Sequence, residues 1–133
     1  MSDSRQVNIA SEVDVILARQ EGRALAVVAG FTGSDLTIIA TAISEIARNI
    51  VEYAEKGTMV FEIVSNGTKK GIRVVAVDHG PGIPNIARAM QDGYSTSRGL
   101  GLGLPGSKRL MDEFEIESEV GSGTTVRMVK WTR

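Results

Sequence analysis

The 133-residue sequence contains no cysteine and a single histidine, His79. Disulfides, Cys-ligated zinc and thiol nucleophiles are therefore excluded, and a Ser-His triad is possible only through His79. Aromatic side chains make up only 5% of the chain, too few for a row of base-stacking platforms. Neither sign of charge dominates: fifteen Lys and Arg against sixteen Asp and Glu leave a formal net charge of −1. With no positive field to gather phosphate backbones or anionic lipid, neither nucleic acid nor a membrane is an expected partner. No eighteen consecutive residues are apolar, and Met1 to Gln6 has no apolar stretch behind a basic start, which points to a cytoplasmic protein. A chain of this length buries one core, so residues 1–133 are expected to form a single domain. Chemistry must come from carboxylates, amides, hydroxyls and backbone.

Glycine, by contrast, is abundant: fifteen residues, about 11% against a usual share of roughly 7%. Seven of them fall between Gly80 and Gly106, where the backbone must turn tightly or approach something closely. Around that window the pattern predicts an α+β domain. Val7 and Ile9 mark a first strand. Ser11 with Asp14 three residues on opens a helix that stops at Gly30. Ser34 or Asp35 is expected to cap a second helix, in which Ile39, Ile43, Ile46 and Ile50 form a stripe ending at Gly57. Thr58 to Ser65 and Ile72 to Val77 read as a hairpin joined by Asn66 to Gly71. Short helices follow near Asn85 to Gln91 and Leu104 to Met111, and Phe114 to Val120 with Thr124 to Trp131 close a second hairpin. Two hairpins demand antiparallel pairs, so the expected fold is a mainly antiparallel sheet with helices on one face.

Three constellations carry chemistry. On the second helix, Glu45 and Asn49 share a line roughly 90° to 130° from the isoleucine stripe, on the shoulder of the core. An amide oxygen there suits Mg²⁺ and a carboxylate suits proton acceptance, although the same pair also reads as a solvated flank. Next, the apolar strand Val74 to Val77 runs into Asp78-His79-Gly80-Pro81-Gly82-Ile83-Pro84. An acid at such a strand end needs a specific partner; a purine amine is one, while an ordinary Pro-Gly turn remains open. Finally, Gly99-Leu100-Gly101-Leu102-Gly103-Leu104-Pro105-Gly106-Ser107-Lys108 leads into a helix. Its Gly101-x-Gly103-x-x-Gly106 spacing matches the dinucleotide fingerprint, but polar Tyr94 to Arg98 precedes it where a buried strand is required, and no acid stands about 20 residues on. What remains is a set of free N–H groups at a helix start, which suits a phosphate lid from Gly93 to Gly103 or a plain loop.

Taken in this order and spacing, the three elements resemble the Bergerat-fold ATPases, the superfamily of gyrase, Hsp90, histidine kinases and MutL. The text of Ala42 to Asn49, Asp78 to Pro84, Gly103 to Gly106 and Lys108 to Phe114 is most similar to the RsbT-type serine/threonine kinases of the bacterial stressosome, relatives of the anti-sigma kinases. The resemblance covers nearly the whole chain and implies a two-layer α/β sandwich that uses ATP and Mg²⁺. It implies Glu45 as general base, Asn49 as Mg²⁺ ligand and Asp78 as acceptor for the adenine amine. Gly80, Gly82 and Ile83 would shape the adenine pocket. Arg98, Gly99, Gly101, Gly103, Leu104 and Gly106 would serve the phosphates and lid, and Thr124 would lie beside the adenine. Arg98 and Lys108 stay open as the contact to the γ-phosphate. The implied partners are STAS-domain antagonist and scaffold proteins (RsbS and RsbR type) and a PP2C-type phosphatase (RsbU type). No helix carrying a phosphorylatable histidine precedes these motifs, so a sensor histidine kinase is not expected.

Overall fold

Period-two alternation in five segments builds one sheet. The computed structural model describes residues 4–90 and 103–133. The strands are β1 (Ser4–Ile9), β2 (Gly57–Asn66), β3 (Lys69–Asp78), β4 (Glu113–Glu119) and β5 (Gly123–Trp131), in the spatial order β1-β2-β3-β5-β4 with every pair antiparallel. Val7, Ile9, Met59, Phe61, Ile72, Val74, Ala76, Val126 and Met128 point to one face and are buried. The opposite face carries Glu62 against Arg73 and Glu117 against Arg127, exposed cross-strand ion pairs that contribute little to stability. β4 is an edge strand with glutamate at positions 113, 115, 117 and 119, a charge pattern that discourages pairing with another chain.

Helices α1 (Glu12–Ala29) and α2 (Ser34–Asn49) cover the apolar face, as the two-hairpin pattern predicts. The Asp14 carboxylate accepts the N–H groups of Ala10 and Ser11, satisfying donors that a helix start leaves without partners. Gly30, at φ 107°, ends the helix in the left-handed conformation. Inside α1, Gly22 lets the neighbouring elements close up: a Cβ there would collide with Ile43 of α2 and crowd Phe61 of β2. The isoleucine stripe that runs along α2 into the turn after it lies in the core, with Ile39, Ile43, Ile46 and Ile50 each no more than 3% exposed.

Three local expectations are corrected. Neither Ser34 nor Asp35 caps α2: the cap position is Gly33, and Asp35 is buried inside the first turn with its carboxylate held by both Arg133 Nε (3.2 Å) and Nη2 (3.1 Å). An ion pair across 98 residues takes the carboxylate that a local cap would have used. The α-helix also stops at Asn49 rather than running towards Gly57. Ile50–Ala54 widen into a π-helical turn, and Glu55 leaves it at φ 72°. The β2–β3 turn is tighter than six residues, because Asn66 pairs with Lys69 and only Gly67 and Thr68 lie between. The remaining elements are α3 (Ile86–Ala89), capped by the Asn85 side chain, and α4 (Gly103–Leu110), which packs on α2.

The C-terminal residues therefore fasten the start of α2 to the far edge of the fold. The Thr132 N–H donates to the Lys70 carbonyl, the Trp131 N–H donates to Asp112, and Arg133 reaches Asp35. Hydrogen bonding to the Arg133 guanidinium, reinforced by its charge and that of Lys130 against the opposing effect of burial, holds the Asp35 carboxyl below its ordinary value. A carboxyl with a lowered folded-state pKa stabilises the fold above the ordinary aspartate value of about 3.9 and loses that contribution as pH falls through the lowered value. Arg133→Ala is thus expected to melt slightly below wild type at pH 7 and to converge with it as pH falls through that lowered value. A melting gap of constant size across that range would count against the pairing.

Candidate functional site

A cavity of about 400 Å³ opens between α2, the π-helical turn, the sheet and the loop after β3, within the size range of small-ligand pockets. Its walls are mainly apolar: Ile46 and Ile50 from α2 and the π turn, Ala76 and Val126 from β3 and β5, Ile83 from the loop, and Leu104 from α4. Polar groups enter at a few points, namely Asn49, Asp78 and Thr124. A mainly apolar cavity with a few polar groups on its wall suits a ring that carries hydrogen-bonding edges.

Asp78 sits there because β3 ends there. Its Oδ1 accepts the Gly80 N–H at 2.9 Å and the Thr124 N–H at 3.3 Å, while Oδ2 makes no hydrogen bond to any described residue. The carboxylate is thus locked in orientation by two backbone donors, with one oxygen left for a donor in the cavity. Thr124 lies opposite, one strand over, in register with Asp78. Gly82, at φ 80°, lines the cavity, and any Cβ on it would collide with the Glu119 carbonyl of β4. Gly80 is pressed against the π turn, where a Cβ would lie 2.6 Å from that of Ala54. Both glycines let the loop fold down onto its neighbours. His79 is exposed in this loop and lines no part of the cavity.

Asn49 is half-buried on the cavity wall, and Glu45 lies one turn before it. Glu45 is not on a half-exposed shoulder: it is 3% exposed, with Oε1 3.2 Å from Arg48 Nη1, and it is not part of the cavity lining. The reason is tertiary: α1, α4 and β3 pack on α2, and Ala42 to Ala47 are all buried. Among the described residues, no three His, Cys, Asp or Glu side chains form a metal cage. One amide oxygen at the wall of a cavity still fits Mg²⁺, which keeps most of its waters and takes phosphate oxygens from its substrate.

Gly103 opens α4, and Gly106 is buried within that helix next to the cavity residue Leu104. Lys108 is exposed on the same helix. Arg98, Gly99, Gly101 and nearly all of the expected lid from Gly93 to Gly103 lie outside the described residues.

The cavity also uses residues that sequence reasoning passed over. Tyr53 and Ala54 of the π turn line it, and Tyr53 follows Asn49 by four residues, so extending the Glu45–Asn49 line by one turn would have found it. Ser118 of β4 donates or accepts at three points around the site, and its partner Ile83 is 35 residues away, so no local signal marks it.

Residues 10–130 match the histidine kinase-like ATPase domain family. The chain belongs to this family. It is 52% identical over 133 residues, all of both chains, to the serine/threonine-protein kinase RsbT of Bacillus subtilis (strain 168). It is 34% identical over 126 residues to the anti-sigma F factor of Thermoanaerobacter sp. (strain X514), covering 86% of this chain and 87% of that one. Among solved structures, the mycobacterial sensor histidine kinase MprB superposes with a TM-score of 0.57 at 17% identity, over 97% of both chains. That likeness bears on the fold alone: the α+β sandwich expected from the motifs is the fold of this family. The antiparallel sheet also disposes of the dinucleotide-fingerprint reading, which needs a strand–turn–helix unit in a parallel sheet.

Proposed function

We propose that this chain is an ATP- and Mg²⁺-dependent protein serine/threonine kinase. It acts on STAS-domain partners in a stressosome partner-switching pathway and, once released from them, activates a PP2C-type phosphatase. The observation that carries the nucleotide half is the oriented Asp78 carboxylate with one oxygen open, on the wall of a mainly apolar cavity. The kinase half is supported by the full-length identity to RsbT, and the partner classes are those that the resemblance of the motifs implies. Bound ATP supplies the γ-phosphoryl group. Asn49 would hold Mg²⁺ beside the phosphates, and Glu45, one turn earlier, would take the proton of the partner's hydroxyl.

A protein substrate is favoured by the outer face of α1. Val13, Ile16, Leu17, Val27 and Val28 lie within roughly 120° of helical arc, and each is between 44% and 72% exposed. Apolar surface left in solvent marks interaction sites, protein–protein contacts among them. A second reading, a nucleotide-gated binding module, is favoured by the identity to proteins named anti-sigma F factor.

Incubation with labelled ATP, Mg²⁺ and candidate STAS-domain proteins separates the two. Label on a partner hydroxyl is expected; nucleotide-dependent complex formation without label would establish the module instead. In the same assay Asn49→Ala is expected to need a much higher Mg²⁺ concentration for half-maximal transfer, because one oxygen ligand is lost while phosphates and waters complete the octahedron. Transfer by this variant that saturates at the wild-type Mg²⁺ concentration would reduce Asn49 to a helix-flank amide.

A further inference from the structure

Glu45 is 3% exposed, and a carboxylate so far from water costs free energy unless a partner compensates it. Its Oε1 accepts from Nη1 of Arg48 at 3.2 Å, and the Arg48 side chain, 24% exposed, reaches in from the surface. Along α2, Arg48 is displaced about 60° to one side of Glu45 and Asn49 about 40° to the other, and helical side chains lean back over the preceding turn. Asn49 lines the cavity, whereas Glu45 and Arg48 do not. The guanidinium therefore grips the carboxylate from the flank away from Asn49.

A basic residue in the last turn of a helix has an ordinary explanation, since it complements the helix dipole, and exposed pairs three residues apart contribute little. Burial of the acidic partner sets this pair apart. The terminal torsion of a glutamate is broad, so an untethered carboxylate swings through many directions. With Oε1 tied to a guanidinium, the plane of the group is restricted and Oε2 keeps a narrow range of directions. Orientation counts here because phosphoryl transfer is often loose: little charge develops on the attacking oxygen, and the base serves chiefly by directing the hydroxyl.

We propose that Arg48 is a positioning residue for the transfer step: it acts through Glu45, fixing the direction in which that carboxylate meets the partner's hydroxyl, and touches neither nucleotide nor hydroxyl itself. This assignment rests on the kinase reading above, with Glu45 as the base.

The test is a double-mutant cycle read in single-turnover transfer from ATP to a STAS-domain partner protein, with the ATP affinity of each variant measured by calorimetry. Arg48→Met keeps the length of the side chain and removes the guanidinium. It is expected to slow transfer roughly 10²-fold, the cost of a misdirected group, while ATP affinity stays within about 3-fold of wild type. Arg48→Lys keeps a cation without the planar fork and should recover part of the loss. In a Glu45→Gln background, where no base remains to be directed, Arg48→Met should change the rate by less than about 3-fold. An equal loss in both backgrounds would mean that Arg48 acts on the substrates directly, and wild-type transfer by a folded Arg48→Met protein would make it a surface cation; either overturns the assignment. Removing Arg48 alone takes a cation from a buried acid. Should Arg48→Met fail to fold, Arg48→Lys carries the same cycle: a loss that disappears in the Glu45→Gln background supports the assignment, and an equal loss in both, or none in either, overturns it. Absence of transfer by wild type overturns the kinase reading, and unaltered transfer by Glu45→Gln overturns the base, each taking this assignment with it. Intact wild-type transfer and a slow Glu45→Gln protein, with Arg48 effects that multiply independently, overturn this assignment alone.

Discussion

Glu45→Ala is expected to lower single-turnover phosphotransfer to a partner protein by about 10² to 10⁴, the usual contribution of a positioned base, while ATP binding stays near wild type. Geometry separates the two effects: Glu45 lies one helical turn before Asn49 and outside the lining of the cavity. Phosphoryl transfer is often loose, with little charge on the attacking oxygen, so a loss at the lower bound agrees with the assignment. The Arg48 partner is about a quarter exposed, and its guanidinium can turn to solvent when Glu45 is removed, which spares the fold a stranded buried cation. Glu45→Gln, of the same shape, controls for the space that alanine leaves. Wild-type transfer by both variants would make Glu45 a bystander, and loss of ATP binding would make its role structural.

Asp78→Asn should weaken ATP binding roughly 10- to 150-fold, because a hydrogen bond to a charged group is worth about 1.5 to 3 kcal/mol. The direction follows from the two backbone donors. The N–H groups of Gly80 and Thr124 both require an acceptor at Oδ1, so the new carboxamide must place its oxygen there. Its NH₂ group then occupies the place of Oδ2 and meets the adenine amine donor to donor. A purine that presents a carbonyl at that position should lose its disadvantage, so GTP binding is expected to approach that of ATP. Unchanged ATP affinity in a folded Asp78→Asn protein would remove Asp78 from the ring-binding site.

The two predictions rest on residues of different legibility. Asp78, Gly80 and Gly82 lie within five residues at the end of an apolar strand, and Glu45 and Asn49 are one turn apart on a helix whose isoleucine period is regular. Such groups are set by local geometry, so the strand end and the helix line could be located before any tertiary contact was known. The same holds for the Asp14 cap, the Gly30 stop and both hairpins, where the signal spans a few residues and the competing conformations are sterically poor.

What the chain could not announce locally is where distant segments meet. Glu45 reads as a half-solvated flank because a helix wheel shows one core direction; three elements packing around α2 make it buried instead. Asp35 reads as a cap because Asp favours that position, but Arg133, 98 residues later, offers a two-point partner that a single backbone N–H cannot match. Ser118 reads as one polar residue in an alternating edge strand, and only the docking of the Asp78 to Pro84 loop onto β4 gives its hydroxyl the Ile83 N–H. The amino-acid sequence by itself determined the five strands, the main helices, the Asp14 cap and Gly30 stop of α1 and the residue types at the strand end, since backbone sterics and side-chain period act over a few residues. Burial and hydrogen-bond partnership were decided by the tertiary structure, because both depend on which atoms exclude water from a group, and those atoms come from strands and helices that are neighbours only after folding.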